Sequence, residues 1–192
     1  MFDVLLAGAA LPTAAPLLGL IALGVKLTSP GSVIYRGKRI GRDGVPFYIR
    51  KFRTMREGAD RTGPLVTAGG DPRVTRLGGW LRRTKLDELP SLWNILRGEM
   101  SWVGPRPENE RSAALYTEAQ RRVLAVAPGV TSPATIRYRN EEQLLAGAPD
   151  LEAAYRRILD DKLRLDLDYL DSRTFWKDLV ILGRTVAVLF RW

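Results

Sequence analysis

Residues 81–107 read LRRTKLDELPSLWNILRGEMSWVGPRP, with an acid pair, Asp87 and Glu88, near the start of the run. Proline is tolerated in the first turn of a helix but not further in. Pro90 therefore predicts a helix that begins around Asp87 and runs through residues 92–96 until Gly98 closes it. Adjacent helical residues point about 100° apart, so the two acids cannot form a symmetric dyad but can take different roles on one substrate.

Asp87 has two interpretations at this position. A carboxylate at a helix N-terminus is stabilised as the anion, which would keep an aspartate available as a nucleophile. The same placement describes an ordinary N-cap, and the local sequence alone favours that interpretation.

Several cations surround the acid pair. The residues concerned are Arg82, Arg83 and Lys85 before it, Arg106 in the stiff loop Pro105-Arg106-Pro107 after it, and Lys51 at the start of residues 51–55 (KFRTM). A guanidinium offers a fork of donors that suits phosphate oxygens. Carboxylates beside many cations indicate phosphoryl transfer.

Composition narrows the chemistry further. The 192-residue chain has no Cys and no His, which excludes disulfides, thiolate chemistry and the commonest general base. Any metal should be a hard, oxygen-preferring ion such as Mg²⁺. Residues 33–86 hold 14 Lys and Arg against 4 Asp and Glu, so the net charge of +9 is concentrated there. Such a block suits anionic lipids, nucleotide phosphates or nucleic acid.

An apolar segment precedes the basic block. Residues 4–25 carry no charge, and as a helix they would be about 33 Å long, enough to cross a bilayer core. Pro12 and Pro16 lie within the segment, where each removes a helical hydrogen bond. Two topologies remain open: a kinked helix that spans the membrane, and a helix that breaks near Pro16 and leaves on the same face. The cations that follow place the body in the cytoplasm by the positive-inside rule.

The remaining chain predicts a small α+β protein. Residues 32–35 and 46–51 are β-prone and flank a turn at 41–44, which predicts a hairpin. We expect a long loop at 58–73, helices at 74–83, 112–124 and 151–170, and irregular or extended backbone at 128–139. Residues 176–192 form a mostly apolar helix bracketed by Trp176 and Trp192, which suits either the membrane interface or the core.

These motifs together resemble the monotopic phosphoglycosyl transferases, also called the bacterial sugar transferase family. The similarity runs nearly end to end and is most specific over residues 81–107. The other matching runs are residues 1–3 (MFD), 31–35 (GSVIY), 51–55 (KFRTM), 71–75 (DPRVT) and 128–131 (PGVT), together with the apolar segment.

The resemblance implies a reaction and a site. Asp87 would attack the β-phosphate of a UDP-sugar, UMP would leave, and polyprenyl phosphate would take the phosphosugar from the aspartyl intermediate. Glu88 would assist the metal and proton handling, and both acids would hold Mg²⁺. The residues implied to bind phosphate or substrate are Lys51, Arg82, Pro105, Arg106 and Pro107. Arg137 and Arg139, in the run after residues 128–131 that departs from the family pattern, are also predicted to bind the nucleotide-sugar.

The resemblance also implies an organisation. Residues 1–30 would form a re-entrant membrane helix broken at Pro16, with Pro12 contributing, and residues 31–192 a mainly helical catalytic domain with interfacial amphipathic helices. The protein would lie on the cytoplasmic face of the bacterial inner membrane, in contact with its lipids and without nucleic acid. A homodimer is compatible with the sequence, which leaves the oligomeric state open.

Two departures from the family pattern stand out. Ala15 occupies a position before the helix-breaking proline that is often Ser in the family, so the break would be held differently. Residues 132–140 (SPATIRYRN) replace the family's usual continuation after residues 128–131, which indicates a different sugar preference. The alternative function is a membrane-anchored, basic nucleic-acid-binding or assembly protein without catalysis.

Overall fold

The computed structural model describes residues 2–59 and 66–189. The fold is α+β, as predicted, with one long apolar helix, two small pairs of strands and several short helices. The helices are α1 (Phe2–Thr28), α2 (Arg76–Thr84), α3 (Leu92–Leu96), α4 (Glu110–Ala114), α5 (Pro133–Arg137), α6 (Glu141–Leu144), α7 (Leu151–Asp171) and α8 (Phe175–Leu189). The strands are β1 (Ile34–Ile40), β2 (Pro46–Phe52), β3 (Ser101–Val103) and β4 (Gly129–Thr131).

Helix α1 is long and apolar enough to cross a membrane, with a mean hydropathy of 2.0, and most of its surface is exposed. Its helical backbone continues through Pro12 and Pro16, the positions at which the family resemblance implied a break. Packing at both ends accounts for the continuity: Ala7 is buried in one hydrophobic cluster, and Ile21 and Val25 are buried in another. These contacts offset the two backbone hydrogen bonds that the prolines remove. The path of α1 relative to a bilayer stays a prediction.

Both ends of α1 are tied to the rest of the protein. At the N-terminal end, the Ser101 hydroxyl donates to the Asp3 carboxylate at 2.8 Å, and the Trp102 indole N–H donates to the Asp3 carbonyl at 3.1 Å. At the other end, the Arg53 guanidinium donates to the Ser29 carbonyl at 2.7 Å. The two ends of the apolar helix therefore contact the same folded body.

The predicted hairpin is confirmed. Strands β1 and β2 pair antiparallel, with Ile34 opposite Phe52 and Ile40 opposite Pro46, around a 3-10 turn at Arg42–Gly44. Strand β1 extends past the predicted residues 32–35 into a charged stretch, since both faces of this two-stranded ribbon are partly open to solvent. Strands β3 and β4 form a parallel pair that the sequence did not predict.

The helix predicted at residues 112–124 is wrong in its extent. The structure has α4 and a separate 3-10 helix, Gln120–Ala125. The Thr117 backbone N–H donates to the Gln120 side chain at 2.9 Å, and the Thr117 hydroxyl accepts from the Gln120 N–H at 3.3 Å. This capping box starts a new helical segment.

The remaining predictions have mixed outcomes. The helix predicted at residues 151–170 is confirmed as α7, and the short helix predicted at 74–83 is confirmed as α2. The segment predicted to be irregular or extended contains the extended strand β4, as predicted, and also helix α5, which was not predicted. The N-cap of α5, Ser132, accepts from the Thr135 N–H at 3.1 Å. Helix α8 matches the predicted C-terminal helix as far as Leu189. Met1, residues 60–65 of the predicted loop, and residues 190–192, including Trp192, lie outside the described residues.

Candidate active site

Asp87 is directed inward by a sharp change of backbone direction. Helix α2 ends at Lys85, which has a left-handed conformation with φ of 58°, and a 3-10 helix, Leu86–Ser91, begins directly after it. Asp87 is 7% exposed, and its Oδ1 atom is buried without a hydrogen-bond partner among the described residues. The N-cap interpretation of Asp87 is therefore wrong. The helix does begin where Pro90 predicted, in a 3-10 rather than an α conformation.

Glu88 has the opposite environment, because two cations bind it. Lys51 on β2 donates to Oε1 at 2.8 Å. Arg106 donates to Oε2 at 3.2 Å and also to Oε1. All three side chains are largely buried, so Glu88 joins β2, the 3-10 helix and the loop after β3 at one point.

Electrostatics separate the two acids further. Burial and the neighbouring Glu88 anion raise the pKa of Asp87, although Lys51 and Lys85 act against the shift. Burial also opposes the Glu88 charge, but Arg106 and Lys51 outweigh it and hold the pKa of Glu88 well below its usual range. Glu88 is thus a fixed anion that organises cations, and Asp87 is a carboxylate with an uncommitted oxygen.

The loop that carries Arg106 is positioned by two glycines. Gly104 and Gly129 face each other across β3 and β4, and a Cβ on Gly129 would lie 2.1 Å from the Gly104 nitrogen. A larger residue cannot fit at this contact without moving backbone. Pro105 accepts from the Gly129 N–H at 2.9 Å, while Pro105 and Pro107 flank Arg106 and line a neighbouring crevice.

A cavity of about 450 Å³, here called the polar cavity, contains the acid pair in its wall. Its lining is rich in cations from four parts of the chain. The basic lining residues are Arg36, Arg39, Lys51, Arg53, Arg56, Arg73, Arg82, Lys85 and Arg106. All of these residues except Arg106 belong to the basic block at residues 33–86. A cation-rich lining of this kind suits a ligand that carries phosphate groups.

The other predicted substrate-binding arginines have different surroundings. Arg82 lines the polar cavity and donates to Thr54 at 2.9 Å and to Glu142 at 2.8 Å. Arg139 lines a second cavity, here called the apolar cavity, and donates to the Val188 carbonyl at 2.7 Å. Arg137 lines neither cavity; its side chain is 64% exposed and pairs with Asp161 at 3.4 Å. A substrate-binding role for Arg137 stays a prediction.

A buried polar cluster behind Arg106 was missed from the sequence. Lys162 on α7 is 5% exposed and donates to Glu108 at 3.1 Å and to Glu141 at 3.2 Å. Tyr155, also on α7, donates to the other oxygen of Glu108 at 3.0 Å. Although burial disfavours its charge, the two glutamates raise the pKa of Lys162. Glu108 follows Arg106 by two residues, so α7 fixes the loop from behind.

Asp166, one turn further along α7, completes this support. It is 3% exposed, and burial raises its pKa to about 6, while Ser132 and the backbone N–H groups of Ala134 and Arg106 stabilise its anion. A signal for these residues was present: Lys162 and Asp166 lie four apart on the face of α7 that buries Leu159 and Leu163. Charged side chains on the apolar face of a predicted helix indicate buried partners.

Of the two acids, only Asp87 has an oxygen that the described residues leave available to bind a Mg²⁺ ion. Among the described residues, no group of three or more His, Cys, Asp or Glu side chains could hold a metal. Asp87 offers a buried oxygen that has no hydrogen-bond partner in the described part of the chain, whereas Lys51 and Arg106 bind both oxygens of Glu88. Mg²⁺ commonly takes one or two carboxylates and completes its shell with water and substrate phosphates. Asp87 fits this pattern better than Glu88 does.

Comparison with known proteins gives the chain a family. A family model described as bacterial sugar transferase matches residues 1–192. The chain is 40% identical over 98% of its length to a UDP-glucose:undecaprenyl-phosphate glucose-1-phosphate transferase of Caulobacter vibrioides, of which it covers 68%. It is 38% identical over 96% of its length to the Escherichia coli protein of the same name, of which it covers 38%.

A relative of more similar length also matches. The exopolysaccharide production protein ExoY of Rhizobium meliloti is 39% identical over 98% of this chain, which covers 83% of that relative. The chain thus spans much of some relatives and little more than a third of others. These matches favour the transferase interpretation of the basic block over the nucleic-acid-binding one. The chain belongs to the bacterial sugar transferase family, as its motifs predicted.

Proposed function

We propose that this protein transfers a sugar 1-phosphate from a UDP-sugar to undecaprenyl phosphate, with Asp87 as the nucleophile. The observation that carries the proposal is the contrast within the acid pair. Glu88 is neutralised by Lys51 and Arg106. Asp87, in the wall of a cation-lined cavity, has a buried oxygen that no described residue hydrogen-bonds. Such a cavity suits a diphosphate, and a carboxylate of this kind suits covalent catalysis.

In the first step, a carboxylate oxygen of Asp87 attacks the β-phosphorus of the UDP-sugar. The bond from that phosphorus to the oxygen bridging the two phosphates breaks, and the electron pair leaves on UMP. The product is an acyl phosphate between Asp87 and the sugar 1-phosphate. Lys85 and Arg82 line the cavity beside Asp87, where they would stabilise the charge on the departing phosphate.

In the second step, an oxygen of undecaprenyl phosphate attacks the same phosphorus. The bond between Asp87 and phosphorus breaks, the aspartate is regenerated, and undecaprenyl diphospho-sugar is released. Two steps allow one site to serve a soluble donor and a lipid acceptor in turn. Arg106 lines both cavities and has donors beyond the two that Glu88 engages, so it can contact a phosphate in either step.

We further propose Mg²⁺ as the cofactor, held by Asp87 and the substrate diphosphate, with Glu88 close by. When bound, Mg²⁺ would neutralise diphosphate charge and polarise the phosphorus–oxygen bonds. Lys51, Lys85 and Arg82 would orient the donor and favour the ionised form of Asp87 against the effect of its burial.

The contacts of α1 support a re-entrant, same-face topology. Asp3 near its start and Ser29 just past its end are both hydrogen-bonded to the body, through Ser101 and Arg53. A helix that spans the bilayer core would leave the charged body in contact with only one of its ends. We therefore propose that the body lies on the cytoplasmic face of the bacterial inner membrane, with α1 entering and leaving from that side.

UDP-glucose is the donor to test first. The Caulobacter, Escherichia coli and Xanthomonas relatives are all named as UDP-glucose:undecaprenyl-phosphate glucose-1-phosphate transferases. The Aeromonas relative, at 32% identity, is named for UDP-N-acetylgalactosamine. The names of the rhizobial relatives favour exopolysaccharide synthesis as the process that consumes the product.

The test is UMP release from a panel of UDP-sugars by the detergent-purified protein with Mg²⁺ and undecaprenyl phosphate. The proposal expects UMP from one donor, with the signal lost in Asp87→Asn and kept in Asp43→Asn, an exposed aspartate in the hairpin turn. Equal rates for wild type and Asp87→Asn would refute the assigned nucleophile.

A further inference from the structure

The apolar cavity, also of about 450 Å³, has two chemically different parts. One part is charged. It shares Lys85, Glu88 and Arg106 with the polar cavity, and it also contains Glu108, Glu141 and Glu142, whose carboxylates are paired with Lys162 and Arg82. The other part is lined by apolar side chains, namely Leu89, Leu92, Trp102, Val130, Ile136, Leu182, Val186 and Leu189. A ligand that fits both parts has an anionic group at one end and a hydrocarbon body at the other.

The apolar part adjoins α1. Leu92, Trp102 and Val130 belong to the hydrophobic cluster that also contains Ala7 and Leu11 of α1. One wall of the cavity therefore packs directly against the helix proposed to enter the membrane.

Helix α8 forms another part of the cavity wall. Val186 and Leu189 line the cavity while being 54% and 40% exposed, so the cavity reaches the protein surface along this helix. The N-terminal end of α8 carries exposed Phe175 and Trp176, and the Phe175 ring contacts Phe2 of α1 at 5.1 Å between centroids. The cavity thus lies between two helices that expose large apolar side chains, an arrangement suited to a membrane surface.

We propose that the apolar cavity binds the acceptor lipid: the phosphate of the polyprenyl phosphate lies at Arg106, and its first isoprenoid units lie between Leu89 and α8. This assignment rests on the proposed function. A cavity of this volume accommodates a small-molecule-sized segment, so the rest of the chain stays in the bilayer. The placement brings the lipid phosphate to the residues shared with the polar cavity, beside the nucleophile. The donor occupies the polar cavity in the first step, and the lipid phosphate reaches the shared residues after UMP has left.

A matched pair of substitutions on α8 tests the assignment. Val186→Trp fills the mouth of the cavity, whereas Val180→Trp adds the same side chain on the same helix at a position that is 53% exposed and outside the cavity lining. We expect Val186→Trp to lower kcat/KM for undecaprenyl phosphate by at least about 10-fold, through KM, and Val180→Trp to leave it within about 2-fold.

The first step of the reaction can be measured alone, and this distinguishes a failure of the lipid-binding proposal from a failure of the proposed function. Exchange of labelled UMP into UDP-sugar needs no lipid, so both variants should retain the wild-type exchange rate. The assignment would be overturned if the two variants had the same kcat/KM for undecaprenyl phosphate, or if Val186→Trp alone lost UMP exchange. In either case, UMP exchange by the wild-type protein would still support the proposed function.

Photocrosslinking tests the cavity without turnover, and therefore independently of the reaction. A polyprenyl phosphate with a photoreactive group in its first isoprene units should label peptides from residues 182–189 or 89–92. Excess undecaprenyl phosphate should compete with this labelling, and phosphatidylglycerol should not. The proposal would be overturned if only other segments were labelled, or if phosphatidylglycerol competed as well as undecaprenyl phosphate.

Discussion

Arg106 binds Glu88 through both carboxylate oxygens, donating to Oε2 at 3.2 Å and also to Oε1. Arg106 and Glu88 lie 18 positions apart in the chain, so this ion pair joins the Pro-Arg-Pro loop to the acid pair. Lys51 shares the same carboxylate. The arrangement commits Glu88 to these cations, whereas Asp87 Oδ1 has no hydrogen-bond partner among the described residues.

Arg106→Lys tests the importance of this two-point contact. A lysine keeps the charge but cannot donate in two parallel directions. We expect kcat/KM for the UDP-sugar to fall about 10- to 100-fold, the equivalent of one charge-assisted hydrogen bond. Arg97→Lys, at an exposed arginine paired with Glu99, is the control. An Arg106→Lys enzyme with wild-type kinetics would show that charge alone suffices at this position.

Asp87→Asn should inactivate the protein and stabilise it. Loss of the nucleophile should lower kcat by at least about 10³-fold. The raised pKa of Asp87 means that the folded state binds its proton more tightly than the unfolded state does, so ionisation at neutral pH costs stability. Removing that charge should raise Tm at pH 7 in buffer with a chelator. A lower Tm for Asp87→Asn would show that the anion is stabilised in the fold, contrary to the geometry.

Lys162→Met should destabilise the protein strongly. The change leaves Glu108 and Glu141 buried without their shared cation, a loss of about 3–5 kcal/mol, or roughly 10 °C in Tm. The double variant Lys162→Met/Glu108→Gln should recover part of the loss. Arg164→Met, which removes an exposed arginine from the same helix, should change Tm little. If Lys162→Met and Arg164→Met melt at the same temperature, the buried cluster does not support the fold.

Asp166 gives stability a specific pH dependence. Its pKa of about 6 lies above the ordinary value of 3.8, so folding takes up a proton between these values. The stability contributed by this protonation is lost as the pH rises from about 4 to above 6, by about 3 kcal/mol in total. Asp166→Asn should therefore flatten the decline of Tm between pH 4.5 and pH 7.5. Parallel Tm profiles for wild type and Asp166→Asn would contradict the raised pKa.

The absence of Cys allows the topology of α1 to be tested with single-cysteine variants. Phe2→Cys and Thr28→Cys mark the ends of α1, and Arg42→Cys marks the exposed hairpin turn. In inverted membrane vesicles, an impermeant maleimide should label all three positions, because both ends of α1 contact the body. Labelling of Phe2→Cys only from the opposite face would establish a spanning helix.

Local sequence signals were sufficient for much of the fold. Pro90 located the start of the helix that carries the acids, and the turn residues at 41–44 located the hairpin. The charged run at residues 151–170 was predicted as a helix and is α7. These signals depend on neighbours within a few positions. For the same reason, they could not show that β3 pairs with β4, since that contact depends on the close approach of Gly104 and Gly129.

The sequence predicted which residues make up the site, but not which of the two acids is bound by the cations. The sequence placed Asp87, Glu88, Arg106 and Lys51 together through family resemblance. Which acid the cations hold depends on the left-handed turn at Lys85, which local sequence does not specify. The support from Lys162 was missed, because a charged residue within a strongly charged helix is first interpreted as solvent-exposed.

The most direct test of the central claim is covalent labelling with a UDP-sugar carrying ³²P at the β-phosphate, without acceptor lipid. The account predicts label on the peptide containing Asp87, released by hydroxylamine and by added undecaprenyl phosphate, and absent in Asp87→Asn. Formation of UMP and lipid-linked product by a wild-type protein that never acquires label, or label on a different residue, would contradict it.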